Sequence, residues 1–429
     1  MANRLKTKAF ILFLALLPAS ARCITIEECY RLARDNFPLT AQYGIIEKIG
    51  EYSFSNACRS YLPQLSFSAQ ATLQNEVSDF PEEMRALYKK VGIEMEGLSK
   101  DQYKVMLQLN QKIWDGGSTK AQKAQIAAET EVNRLRVEKE ADAVRERVNQ
   151  VYFGMLVLQA QLQRAENLRS LLLANKKTVD SQVKNGVALP SDAELIQVEI
   201  VSLEQKIVKI EMAAGAYRHV LGLLIGKELS EREPIERPSP APVEEECLRT
   251  ELKLFDAQIR QQNALRGSIR ADNLPHLDFF VQGYYGRPGF NLFNDMMYDD
   301  FSWNAIGGIR LQWNISALYT RSNLLGKIDL AQESIGNDRA LFEWNIAQQK
   351  TEKESNIAEM AEVSRRDVEI VGLRTSIRQA SESQYKNGVV TINELLRNIN
   401  NESDAQLAAQ LHELELLKNG YDLKLTMNW

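Results

Sequence analysis

Ser181-Gln-Val-Lys-Asn-Gly-Val187 returns as Ser383-Gln-Tyr-Lys-Asn-Gly-Val389, 202 positions further along the chain. The same offset carries Leu109-Asn-Gln-Lys-Ile113 onto Leu311-Gln-Trp-Asn-Ile315. Further upstream, Leu62-Pro-Gln-Leu-Ser-Phe67 matches Leu274-Pro-His-Leu-Asp-Phe279, but at an offset of 212, which places a loop ten residues longer in the first copy, between about 75 and 102. The chain is therefore written twice, the signature of a repeated structural unit. The first copy runs over 22–233 and the second over 244–429. Residues 234–243, with Pro234, Pro238, Pro240 and Pro242, read as an extended linker between them.

Outward from the repeated motifs lie heptads. Val137, Ala141, Val144, Val148, Val151, Met155, Leu158, Leu162 and Ala165 follow a 4-3-4-3 spacing. So do Ile196, Ile200, Leu203, Ile207, Ile210, Ala214, Tyr217, Leu221 and Leu224. That seam belongs to helices packed side by side. Between Ser118 and Lys184 the only Gly or Pro is Gly154, and such a helix would reach about 100 Å at 1.5 Å per residue. The second copy predicts a matching helix over about 320–386 and a return helix carrying Ile392, Leu396, Ile399, Leu407, Leu414 and Leu417. Asn185-Gly186 and Asn387-Gly388 mark the tips of the two hairpins, at about 184–191 and 385–391, because Gly and Asn accept the left-handed conformation that ends a helix. Ser191 with Glu194, and Thr391 with Glu394, read as capping boxes for the return helices.

Upstream of each hairpin the period changes to two. Strands are predicted at about 62–74 and 103–115, and again at about 274–286 and 304–316. In Leu65–Leu73 every odd position is apolar and every even one polar. Tyr103, Val105, Leu107, Leu109 and Ile113 share a face, as do Leu277, Phe279, Val281 and Tyr285, and then Ile309, Leu311, Trp313 and Ile315. Alternation over about 10 residues suits a strand that crosses a bilayer, although a half-buried soluble sheet alternates in the same way. Four membrane strands cannot close a barrel, and an open edge in lipid leaves backbone groups unsatisfied at several kcal/mol each. Three copies would supply twelve strands. The expected fold class is thus a mixed α/β membrane protein, with antiparallel coiled-coil hairpins and four transmembrane strands per protomer. Its trimer would form a 12-stranded β-barrel and a helical barrel. Tyr284, Tyr285, Phe290, Phe293, Tyr298, Phe301 and Trp303 cluster around the outer strand ends as an interfacial girdle would.

Composition narrows the function classes. The chain has 429 residues, 25% charged, with a net charge of -5, which gives no reason to expect nucleic acid. His219, His276 and His412 are scattered, and Cys23, Cys29, Cys58 and Cys247 follow no metal-ligand spacing. No catalytic constellation, metal or cofactor is expected. Cys29 and Cys58, in helical patterns, read as small buried residues. Residues 1–21 read as a cleavable signal peptide: Arg4, Lys6 and Lys8, an apolar Ala9–Leu17, and Ala19-Ser20-Ala21. A lipidated Cys23 is the alternative, against which the charged Arg22 speaks. The alternating end, Tyr421 to Trp429, reads either as an assembly signal or as a segment packing on the rest of the chain.

The ordered repeats, the strand end Gln111-Lys-Ile-Trp-Asp-Gly-Gly117 and the two Asn-Gly-Val tips resemble the outer membrane efflux protein (TolC) family over essentially the whole mature chain. The resemblance implies a homotrimeric duct in the cell outer membrane with a large periplasmic part. It also implies docking of the tips (Asn185, Gly186, Val187, Asn387, Gly388 and Val389) to a periplasmic adaptor and an inner-membrane efflux transporter. Drugs, other small molecules or proteins would pass through. Alignment on the tip glycines places Ser191, Asp192 and Tyr385 where the family carries contacts that hold the entrance shut. The partnering arginine would fall at Val390, so no salt-bridge lock is expected. Glu394 falls at the first acidic ring position and Arg397 at the second, where it reverses the charge. The competing reading is a periplasmic adaptor, which has one hairpin rather than two.

Overall fold

The computed structural model describes residues 23–94, 97–230, 234–241, 247 and 249–427. The leader reading of 1–21 and the terminal Trp429 lie outside them. The elements run α1 (Ile26–Asn36), α2 (Ala41–Arg59), β1 (Gln64–Leu73), α3 (Glu82–Lys90), β2 (Asp101–Trp114), α4 (Ser118–Lys184) and α5 (Pro190–Ile225). The chain continues with α6 (Thr250–Asp272), β3 (His276–Arg287), α7 (Leu292–Met297), β4 (Ser302–Gln312), α8 (Ala317–Lys386) and α9 (Ile392–Met427). Two compact units result. One is formed by Gly44–Arg134 and Leu254–Asp338, and the other by the chain up to Tyr43, Leu135–Lys253 and Arg339 onward.

The first unit holds the sheet. Its strands lie in the order β1-β2-β3-β4, all antiparallel, so that β2 of the first half pairs with β3 of the second. Among the described residues neither β1 nor β4 has a partner on its outer side. The two loops that the sequence left unstructured each contain a short helix, α3 and α7. β4 ends at Gln312 because its partner β3 begins opposite it, at His276. Trp313 and Ile315, which alternation had assigned to that strand, therefore lie in the turn before α8, where the Trp313 indole donates to the Asn273 carbonyl at 3.0 Å. At the matching corner of the first half, Gly116 and Gly117 take positive φ of 63° and 88°. Asp115 there accepts from the Tyr61 hydroxyl and the Gly117 and Thr119 amides at 2.8–3.0 Å. Burial works against the Asp115 carboxylate, but these donors outweigh it and bring its pKa down to about 2.

The second unit is helical. Val144, Val148, Val151 and Met155 of α4 are buried, as the heptad predicts, against Ile24, Ile26 and Cys29 near the N-terminus and Leu414, Tyr421 and Leu425 of α9. A second stripe of α4, Asn149, Tyr152, Phe153 and Leu156, is equally enclosed. The Tyr30 hydroxyl donates to the Asn149 side-chain carbonyl at 2.9 Å, and the Asn149 amide donates to Asp422. Burial, then the neighbouring Glu27 carboxylate, pushes the Tyr421 hydroxyl up to about 12. Gly154 has a specific reason to be there: a Cβ would come within 2.4 Å of the Tyr217 ring.

One expectation is corrected in this unit, and two readings become concrete. The segment read as an extended linker makes contacts of its own: Ile235 bridges Ile24 in parallel, and the Tyr152 hydroxyl donates into the Ile24 and Glu236 carbonyls. Of the two readings of the alternating C-terminus, packing on the rest of the chain is the one seen, and the segment is helix to Met427. Tyr421 and Leu425 pack into the core above, whereas Leu423 and Met427 pack on Ile346 with Phe342 alongside. Residues two apart on a helix point to nearly opposite sides, so a helix wedged between two apolar clusters alternates as a strand does. Ser191 is not a helix cap. Pro190 is the first residue of α5, its fixed φ suiting that position, and the Leu189 amide donates to Asp192 at 3.2 Å. In the sheet unit, Cys58 is exposed because α2 turns only Ala57 into the core.

Candidate functional site

Two places stand out: the faces of the sheet, and the tips of the hairpins. The register puts Leu65, Phe67, Val105, Leu107, Leu109, Phe279, Val281, Tyr285, Ile309 and Leu311 on one face. The other face carries Ser66, Ser68, Gln70, Gln108, Asn110, Gln282 and Asn304. Along β2 the exposure is inverted relative to a water-soluble sheet. Tyr103, Val105 and Leu107 are exposed, whereas Lys104, Met106 and Gln108 between them are half-buried. Phe67 is 71% exposed and Trp303 82%. The outer loop after β3 folds onto the polar face: Phe290 packs edge-on against Tyr284, and its amide donates to Asn304 at 2.7 Å. On the rim, Arg287 pairs with Asp101 and Asp299. Among the described residues no helix is long and apolar enough to cross a membrane.

Each tip is a Schellman turn built by its glycine. Gly186 has φ 71° and Gly388 φ 73°. The Val187 amide donates to the Gln182 carbonyl and the Val389 amide to Gln384, both at 2.9 Å. That motif commonly buries an apolar side chain against the last turn of the helix. Here Val187 is 75% and Val389 70% exposed, and Asn185 and Asn387 are also in the open. Behind the tips the two hairpins pack together through Leu172, Val179, Ile196, Ile200, Ile392, Leu395 and Ile399.

Asp192 of α5 and Tyr385 of α8 are brought together by this packing. The Tyr385 hydroxyl is buried with no hydrogen-bond partner among the described residues, and burial, followed by the Asp192 charge, pushes its pKa up. Ser191 points to solvent, and Val390 supplies no charge. Thr391 caps α9 by accepting from the Glu394 amide at 3.4 Å. The Glu394 and Arg397 side chains, both exposed, meet each other at 3.7 Å one turn apart. The two ring candidates thus neutralise one another within a single chain. The polar sheet face also carries the cations Lys104, Lys112 and Arg310, on the side to which the alternation of the strands assigns them.

No family model matches this sequence, and no curated protein matches it either. Solved structures do match. The outer-membrane channel OprN superposes with a TM-score of 0.66 at 14% identity, covering 94% of this chain and 90% of that one. The outer membrane protein VceC from Vibrio cholerae gives 0.65 at 12% identity, covering 94% of each. CusC, described in connection with transmembrane channel formation, gives 0.67 at 13% identity, with 93% and 90% covered. The chain has the outer-membrane channel fold. The resemblance read from the repeats and tips therefore holds at the level of fold, over nearly the full length. Within the outer-membrane channel fold, the open sheet and the hairpin tips are the parts that differ most from what a water-soluble monomer needs.

Proposed function

We propose that this chain is one protomer of a homotrimeric exit duct in the outer membrane, its sheet completing a 12-stranded barrel with two further copies. The observation that carries this reading is the inversion along the sheet: an apolar face bare to the surroundings, a polar face partly covered along β2, and two edges without a partner among the described residues. In water that face would be a large exposed apolar patch and those edges an aggregation template. In lipid the face is solvated, and closure with other copies satisfies the edges. Exposed Ile45, Ile49 and Tyr52 on α2, and Leu341 and Trp344 on α8, add apolar stripes that further copies would cover.

The bare valines and asparagines of the tips are the docking surface for a periplasmic adaptor, which hands over cargo from an inner-membrane transporter. The entrance is held by the apolar packing behind the tips and by the Asp192–Tyr385 neighbourhood. The neutral Glu394–Arg397 pair makes an acidic filter at this end an unsuitable model. A periplasmic adaptor is disfavoured by the two hairpins and by the membrane-length strands.

The test is fractionation of the expressed full chain. It should partition with the outer membrane and run as a heat-sensitive trimer on a denaturing gel. Recovery as a soluble periplasmic monomer would overturn the proposal.

A further inference from the structure

We infer that the barrel section of the duct is an anion-favouring passage, suited to small organic anions. The inference rests on the exit-duct reading and gives its cargo a charge. It begins from the register, which decides the direction of every charged side chain in the four strands. The polar face bears three cations, Lys104 and Lys112 of β2 and Arg310 of β4, against one carboxylate, Asp278 of β3. β1 adds only Gln, Ser and Thr to that face. The apolar face holds no charge along its length, with Asp101 and Arg287 paired at the rim. Asp278 lies between Lys112 on one side and Arg310 on the other, so its charge is offset locally. Within the four strands a surplus of two positive charges per chain remains, reduced to one where the loop carboxylate of Asp295 approaches Tyr284, and repeated threefold in a closed trimer.

The surplus is held in place by the wall. The Lys104 ammonium lies 4.1 Å from the centre of the Tyr284 ring, and the Arg310 guanidinium 4.6 Å from that of Phe280. Such stacking fixes a cation against an aromatic face and leaves its charge directed at the lumen. The two aromatic rings lie four residues apart on β3. An anion crossing the barrel therefore meets successive rings of fixed positive charge interleaved with aromatic surface. Rings of Arg and Lys favour anions in a pore, and the neighbouring rings of Phe280 and Tyr284 suit an organic one.

The experiment uses the full-length trimer reconstituted in planar bilayers under a gradient of potassium chloride, and then of potassium benzoate. Reversal potentials should favour the anion, and more strongly on dilution, because the screening length rises from about 10 Å at 0.1 M to about 30 Å at 0.01 M. The triple variant K104Q/K112Q/R310Q should lower the anion-to-cation permeability ratio several-fold. Lys104→Arg, which keeps both charge and stacking, should leave the ratio unchanged, and Asp278→Asn should raise it. Equal reversal potentials for the wild type and the triple variant, with the heat-sensitive trimer intact in both, overturn the inference while leaving the duct standing. A wild-type trimer that conducts nothing overturns the duct reading, and this inference with it.

Discussion

The helical unit and the sheet unit obey opposite burial rules. In the helical unit Val148 is fully buried, and apart from the buried Asp142 the charged residues of α4 are exposed or half-exposed, as water requires. In the sheet Phe67 and Trp303 are bare, while the polar residues of β2 are partly covered. Under the exit-duct proposal the same chemistry, apolar groups leaving water, explains both: water around one unit, hydrocarbon around the other. The inversion is thus a statement about solvent, written in the alternation of the strands.

Substitutions that move charge across these boundaries test the contrast. The largest effect is expected in the helical core. Val148→Asp would place an uncompensated carboxylate among Ile26, Tyr152 and Leu425, costing above about 4 kcal/mol. Thermal melts followed by circular dichroism should show a helical unit that no longer folds cooperatively. A middle-sized effect separates the two faces of β2. Leu107→Arg should cost about 2–4 kcal/mol if that side meets lipid, whereas Gln108→Arg next to it, facing the lumen, should cost close to nothing. Unfolding in urea from lipid vesicles measures both. Equal costs would abolish the distinction between the faces. The smallest effect is at the tips. Thr391→Ala should cost about 1 kcal/mol by removing the cap of α9, and Ser191→Ala close to none, because Pro190 and Asp192 start α5. A matched loss in both would restore the symmetrical caps expected from the repeat.

Periodicity explains why so much could be read beforehand. Heptads persist wherever a helix packs along one side, so the buried line from Val137 to Met155 was visible as spacing alone. The tip glycines were visible because a left-handed residue constrains sequence directly. What escaped notice depends on partners distant in the chain. Asn149, Tyr152 and Phe153 break no heptad; they are buried because the N-terminal segment, the 234–241 stretch and α9 converge on them. The end of α9 imitates a strand because two different clusters claim its opposite sides. β4 stops at Gln312 because pairing ends where its partner ends, not where its own alternation ends. At the entrance, the charges of Glu394 and Arg397 could be named from the sequence. Their mutual neutralisation needed helical geometry to place them one turn apart.

The clasp at the centre of the helical unit also sets a timetable. Ile24 pairs with Ile235, Tyr152 seals that junction, and Tyr421 donates its hydroxyl proton to Glu27 from the last turns of α9. The opening residues of the chain thus find their neighbours only in its middle and at its very end. Nothing delivered early can be finished early, and contacts so remote in sequence make for slow folding. Until α9 arrives, part of the apolar seam of α4 remains exposed. The period of greatest risk for this molecule is the interval before α9 packs, when the seam it closes is still open to wrong partners.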